Sequence, residues 1–117
     1  MIKVKDIVNA LDGEVLSGMD KLSSDVMFMG AADMLSDVLA LSNPGMIMLT
    51  GHSSIQALRT ALVTDLLGLI VVRGKHIPTQ TIDMARENNF LLITTKSFMY
   101  SSCGKLYKLG LKGIDEK

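Results

Sequence analysis

Met46-Ile47-Met48-Leu49, followed by Thr50-Gly51-His52-Ser53-Ser54, is the stretch whose reading decides the fold. Its plan recurs twice downstream. Leu69-Ile70-Val71-Val72 leads into Arg73-Gly74-Lys75-His76-Ile77-Pro78, and Leu91-Leu92-Ile93 leads into Thr94-Thr95-Lys96-Ser97. Thr50, Val72 and Thr94 lie 22 residues apart each time. The apolar runs show no polar alternation, which suits strands covered on both faces, as in a parallel sheet.

Parallel strands need crossovers, usually helices. Ile55, Leu58, Leu62 and Leu66 follow helical spacing, with Ala57 and Ala61 beside them, and Ser53 or Ser54 can cap the first N–H groups. A second helix opens at Pro78-Thr79, carries Ile82 and Ala85, and ends at Asn88-Asn89. A third starts after Ser97, carries Phe98, Met99, Leu106 and Leu109, and closes at Gly110. Three dissimilar copies fit βαβ winding better than a solenoid.

Working outward, Val4, Ile7, Val8 and Leu11 mark a short amphipathic helix stopped by Asp12-Gly13. Glu14 to Ser17 reads as a strand, Gly18-Met19-Asp20 as a turn, and Asp25 to Met29 as a second strand. Gly30-Ala31-Ala32 is a small-residue link where a backbone or ligand can approach closely. Asp33 then caps a helix with Leu35, Val38 and Leu39 facing inward, and Asn43-Pro44-Gly45 is a turn. The expectation is one α/β domain over residues 1–111, with a mostly parallel sheet of about five strands between flanking helices in a three-layer-like arrangement. Residues 112–117 are expected to form a frayed tail.

Composition narrows the function. Apolar residues, glycine included, number 64 of 117, more than a small domain readily hides, so a homodimer is expected. The longest apolar run, Leu66 to Val72, is too short to span a bilayer, and no signal peptide is read at the charged start, so a cytoplasmic, membrane-free protein is expected. A single cysteine, Cys103, rules out an internal disulfide framework. Residues 1–50 carry three Lys against seven acids, whereas residues 51–117 carry nine Lys or Arg against five. The second half therefore prefers anions. Nucleic acid is not expected, because the five aromatics include no Trp and no basic patch interleaves with them.

In an open α/β sheet the three polar breaks fall at the carboxyl ends of strands, where such folds bind ligands, and each leads into a helix N-terminus. We read Thr50, Gly51, His52, Ser53, Arg73, Gly74, Thr95, Lys96 and Ser97 as lining a site for a small anionic ligand such as a nucleotide. Backbone N–H groups and hydroxyls would hold phosphate, and Arg73 and Lys96 would balance its charge. The Thr50–Ser54 loop is not a nucleotide-triphosphatase P-loop, having one Gly and no Lys.

Other groups have simpler readings. Asp33 and Asp37, one helical turn apart, are read as an N-cap and a first-turn acid rather than a metal pair. His52 and His76 follow different strands with no third ligand spaced to them. Cys103 is read as a small hydrophobe, and Gly104 as a weak point or a close helix contact, within the chain or across a dimer. The nine methionines read first as adaptable core. No catalytic residue, metal ligand or cofactor is assigned.

The chain resembles the DRTGG domain family over nearly its full length. The residues that carry the likeness are Val4-Lys5-Asp6-Ile7-Val8, Gly13-Glu14-Val15-Leu16 and Gly30 to Val38, then Ile82 to Thr95 with Ser97 to Leu109. Such domains resemble the N-terminal domain of HPr kinase/phosphorylase and occur inside CBS-domain pyrophosphatases. The resemblance implies an α/β fold, self-association and nucleotide-linked regulation without catalysis. The five residues that name the family do not occur here; Val72-Arg73-Gly74-Lys75 stands where relatives often carry a Thr-Gly-Gly-like turn. The expected function is a homodimeric, non-enzymatic ligand sensor. The alternatives are a ligand-free interaction module acting on a separate enzyme, and a small metal-dependent phosphoryl-transfer enzyme using Asp33, Asp37 and His52.

Overall fold

The computed structural model describes residues 1–116. The elements run α1 (Val4–Leu11), β1 (Glu14–Ser17), β2 (Phe28–Ala31), α2 (Leu35–Leu41), β3 (Met46–Thr50), α3 (Ile55–Leu62), β4 (Gly68–Val71), α4 (Thr79–Glu87), β5 (Leu91–Thr94) and α5 (Met99–Leu109). A one-turn helix at Met19–Lys21 and another at Ile114–Glu116 complete them. The five strands form one sheet in the order β1-β5-β4-β3-β2. β2 to β5 are parallel neighbours, and β1 runs antiparallel along β5.

This order fixes the layers. From β2 to β5 each crossover steps one strand in the same direction, and crossovers of one hand then place their helices on one face. Val38, Leu58, Ala61 and Ala85 from α2, α3 and α4 accordingly share a core with Met46, Met48, Leu69, Val71 and Leu92. Val4, Ile7, Leu11 and Leu106 from α1 and α5 cover the other face with Ile47, Leu49, Ile70, Val72, Leu91 and Ile93. Successive residues of each apolar run thus enter opposite layers, which is why the runs lack polar alternation. The expected three-layer α/β fold is what the chain adopts.

Three local expectations are corrected. The second strand lies at Phe28–Ala31 rather than Asp25–Met29. Gly30, read as a link, is inside it, and a Cβ there would collide with Met46 Cε and come within 3.1 Å of Met48 Sδ. The close approach is by two flexible methionines, and the apolar run from Val26 to Met29 misplaced the strand. Asp33 does not cap α2: its N-cap is Met34, with no side-chain hydrogen bond, and the Asp33 carboxylate accepts the Gly51 N–H instead (2.7 Å). Leu39, expected inward, is exposed, while Val38 is buried. α2 is only seven residues long and buries just that one side chain.

The segment after Leu111, expected to fray, is tied down as far as Glu116. The Met29 N–H donates to the Lys112 carbonyl (3.0 Å), and Gly113 bridges to Met29 in parallel register. Glu116 accepts from the Gly113 N–H (2.9 Å) and from the Tyr107 hydroxyl (2.8 Å). β2 is an edge strand, and this strap covers the hydrogen-bonding row that an edge would otherwise expose. Lys117 lies outside the described residues.

Candidate functional site

The parallel strands end together, so the loops after β3, β4 and β5 meet at one edge. Their directions then differ. α3 and α4 leave β3 and β4 on one face, whereas α5 leaves β5 on the other. Divergence of neighbouring connections is what opens a crevice at the carboxyl edge of an α/β sheet. The two loops first stay zipped: the Arg73 N–H donates to the Ser97 carbonyl (2.9 Å) and the Gly74 N–H to the Thr95 carbonyl (2.8 Å). Arg73 and Gly74 both turn left-handed to do so, at φ 74° and 60°.

Beyond the zipped turn, on the α1/α5 side, lies a cleft of about 910 Å3. One wall is the β5 loop and α5, with Lys96, Phe98, Ser101 and Lys105; Gly74 and Lys75 reach it from the β4 loop. Asp12 and Glu14, from the α1–β1 junction, line it as well. They are there because β1 runs antiparallel to β5, with Glu14 opposite Thr94. Phe98, Ser101 and Lys105 fall at i, i+3 and i+7, one face of a helix. Lys75, Lys96 and Lys105 are exposed and make no ion pair among the described residues, where the one salt bridge joins Lys3 and Asp25.

The residues expected to form one site divide into two groups. Gly74, Thr95, Lys96 and Ser97 line the cleft. Within it Thr95 is a structural pin: buried, it donates its hydroxyl to the Leu11 carbonyl (2.7 Å) and accepts the Ser97 N–H (3.2 Å), tying α1 to the β5 loop. Ser97 Oγ points inward, buried and without a hydrogen-bond partner among the described residues. Thr50, Gly51, His52 and Ser53 sit in the neighbouring β3 loop. Thr50 is buried and accepts the His52 N–H (3.2 Å), and the Ser53 carbonyl accepts from the Thr81 hydroxyl (3.0 Å). Ser54, not Ser53, caps α3, accepting from the Ala57 N–H (3.2 Å). Arg73 joins the groups: its backbone belongs to the β5 side, while a Cβ on Gly51 would meet its guanidinium at 2.9 Å and Asp33 at 3.1 Å.

Sequence reasoning left Asp12, Glu14, Lys75, Phe98 and Lys105 out of the site. The helical spacing of Phe98, Ser101 and Lys105 was a usable signal. Asp12 and Glu14 needed the antiparallel placement of β1, which spacing does not carry. Among the described residues no group of three or more His, Cys, Asp or Glu side chains is placed to hold a metal ion. His52 and His76 are both exposed on separate loops, and Asp33 is engaged by Gly51. Cys103 is half-buried on α5, and burial raises its thiol pKa, the group's own backbone contact opposing more weakly. Among the described residues Gly104 has nothing within 4 Å of an added Cβ, so it makes no close helix contact there.

A family model described as the DRTGG domain matches residues 6–108. The chain belongs to the DRTGG domain family. A solved structure of the CBS and DRTGG domains of the regulatory region of Clostridium perfringens pyrophosphatase, complexed with the activator diadenosine tetraphosphate, superposes with a TM-score of 0.74. Identity is 18%, and the match covers 89% of this chain but 45% of that one, so the DRTGG chain spans less than half of its structural neighbour. The likeness establishes a shared fold. Comparison with the curated proteins gives no match. No helix among the described residues is long and apolar enough to cross a membrane.

Proposed function

We propose that this DRTGG domain is a non-enzymatic, cytoplasmic, homodimeric regulatory module that binds a nucleotide-like anion in the cleft beside β5. The observation that carries the reading is the convergence of Lys75, Lys96 and Lys105, from two loops and a helix, on one cleft, with no ion pair to any of them among the described residues. Unpaired lysines in a concave site raise the local anion concentration and supply charge-assisted hydrogen bonds to phosphate. That a DRTGG-containing regulatory region has been captured with a dinucleotide polyphosphate supports the choice of ligand class. Bound phosphate would draw the β4 loop, the β5 loop and α5 together, and that shift would bias dimer geometry or a partner-enzyme surface.

The test is a thermal-shift series with adenine and guanine nucleotides, diadenosine polyphosphates and inorganic phosphate. A concentration-dependent rise in Tm with one class is the expected result, since a ligand that binds the folded state alone stabilises it by mass action. A flat response across the panel sinks the reading.

One observation favours a second reading, a ligand-free docking module. The outer side of α5 exposes Tyr100 (91%) and Tyr107 (61%) around the open surface at Gly104. Aromatic side chains concentrate at protein interfaces. A stable dimer with a flat ligand response would select this alternative.

A further inference from the structure

We infer that the cleft is built for a nucleoside phosphate held at both ends, with Phe98 as the platform for the base. The inference rests on the anionic-ligand reading above and goes further, to the orientation and chemical class of the ligand. The cleft has two polarities. Lys75, Lys96 and Lys105 line it from the β4 loop, the β5 loop and α5, while Asp12 and Glu14 line it from the α1–β1 junction. An inorganic polyphosphate gains from the lysines and is repelled by the carboxylates. A nucleoside phosphate matches both, because ribose hydroxyls donate to carboxylates while the phosphates meet the ammonium groups.

Phe98 supplies the third element. Among the described residues it is the one aromatic side chain lining the cleft, and it is 65% exposed. Its backbone is fixed as the N-cap of α5, with its carbonyl accepting the Ser102 N–H at 2.9 Å. The backbone that carries the ring is therefore set at the cleft, and most of the residue's surface is open to solvent. Stacking on an aromatic face is the general way proteins hold an unpaired base. The volume, about 910 Å3, lies within the usual range for small-molecule pockets.

The chain contains no Trp, so Phe98→Trp introduces a single tryptophan at the platform, which can be excited apart from the two tyrosines. Titration with adenosine diphosphate is expected to quench it, and inorganic pyrophosphate is not. Calorimetry on Phe98→Ala is expected to show about a tenfold loss of affinity for adenosine diphosphate. Its pyrophosphate affinity should match that of the wild type. Glu14→Gln should weaken the nucleotide and strengthen pyrophosphate. Wild-type protein that binds both probes equally, or a Phe98→Ala variant with undiminished nucleotide affinity, overturns the platform and leaves the anion site standing. Wild-type protein that binds neither probe removes both readings.

Discussion

The loops after β3 and β5 begin alike and end differently. In each a buried threonine at the strand end accepts the N–H two residues on, Thr50 from His52 and Thr95 from Ser97, both at 3.2 Å. Thereafter the β3 loop is closed by the protein itself. Asp33 accepts the Gly51 N–H, and the Arg73 guanidinium covers the space where a Gly51 side chain would project. The β5 loop turns the other way, and its polar groups border an open cleft with three lysines. A polar loop at a carboxyl strand edge is therefore not yet a site. What decides is whether the chain supplies its own counter-groups there.

The sharpest way to break this contrast is to remove charge from each side. Lys96→Ala with Lys105→Ala should lower nucleotide affinity by about a hundredfold, since two charge-assisted contacts of about 1.5 kcal/mol each would be lost. Both side chains are exposed, so Tm without ligand should hold. Arg73→Ala should change affinity by no more than about threefold, because its guanidinium is turned to the β3 loop. Calorimetry showing an equal loss for Arg73→Ala would merge the two loops into one site.

The threonines give the next largest effect. Thr95→Val leaves the Leu11 carbonyl and the Ser97 N–H without their partner, a cost of about 2–3 kcal/mol. Thr50→Val removes one such bond, to His52, at about 1 kcal/mol. Urea midpoints that fall in the opposite order would show that the β3 loop is the more tightly pinned.

Arg73→Gly separates stability from binding in the turn itself. Left-handed φ costs a non-glycine residue about 1–2 kcal/mol. Glycine loses about 0.5–1 kcal/mol more chain entropy on folding. The net expectation is a gain of about 0.5–1 kcal/mol, visible as a modest rise in Tm. A fall would mean that the guanidinium stabilises the β3 loop by more than the backbone strain costs.

The smallest effect concerns the strap beyond α5. Hydrogen bonds from the Gly113 N–H, and then from the Tyr107 hydroxyl, lower the Glu116 pKa, while Glu116 raises that of Tyr107. A carboxylate whose folded pKa is depressed stabilises above its unfolded pKa and loses that contribution as pH falls through the folded one. Tyr107 behaves oppositely: its contribution is present below its ordinary pKa and lost as pH rises through the raised one. Amide exchange at Gly113 should accordingly be slowest between these limits, relative to intrinsic rates, and speed up in acid. Glu116→Gln should flatten the acid limb. An unchanged profile in that variant would remove Glu116 from the strap.

Much of the fold was legible because both faces of the sheet are covered. Met46–Thr50, Gly68–Val71 and Leu91–Thr94 fall where the uninterrupted apolar runs place strands. β2 was harder to read. Its register includes Gly30 and Ala31, which have poor strand propensity; Gly30 makes room for Met46 and Met48, a tertiary reason that no local window contains. The carboxyl edge as the place for polar groups was legible from the strand–loop–helix order. The split between the two loops was not, since it depends on α5 crossing to the opposite face and on Asp33 spending its carboxylate on Gly51 rather than on α2.

α5 begins at the cleft beside β5 and, through Leu111 and Lys112, finishes against the outer edge of β2. Its 11 residues extend about 16 Å, enough to cross the intervening strands. A helix of this length is a stiff rod. Tilting it at the Phe98 end also displaces its Leu109 end, only three residues before the Lys112 carbonyl that β2 holds, so a movement at the cleft is expected to be felt at the far margin of the sheet.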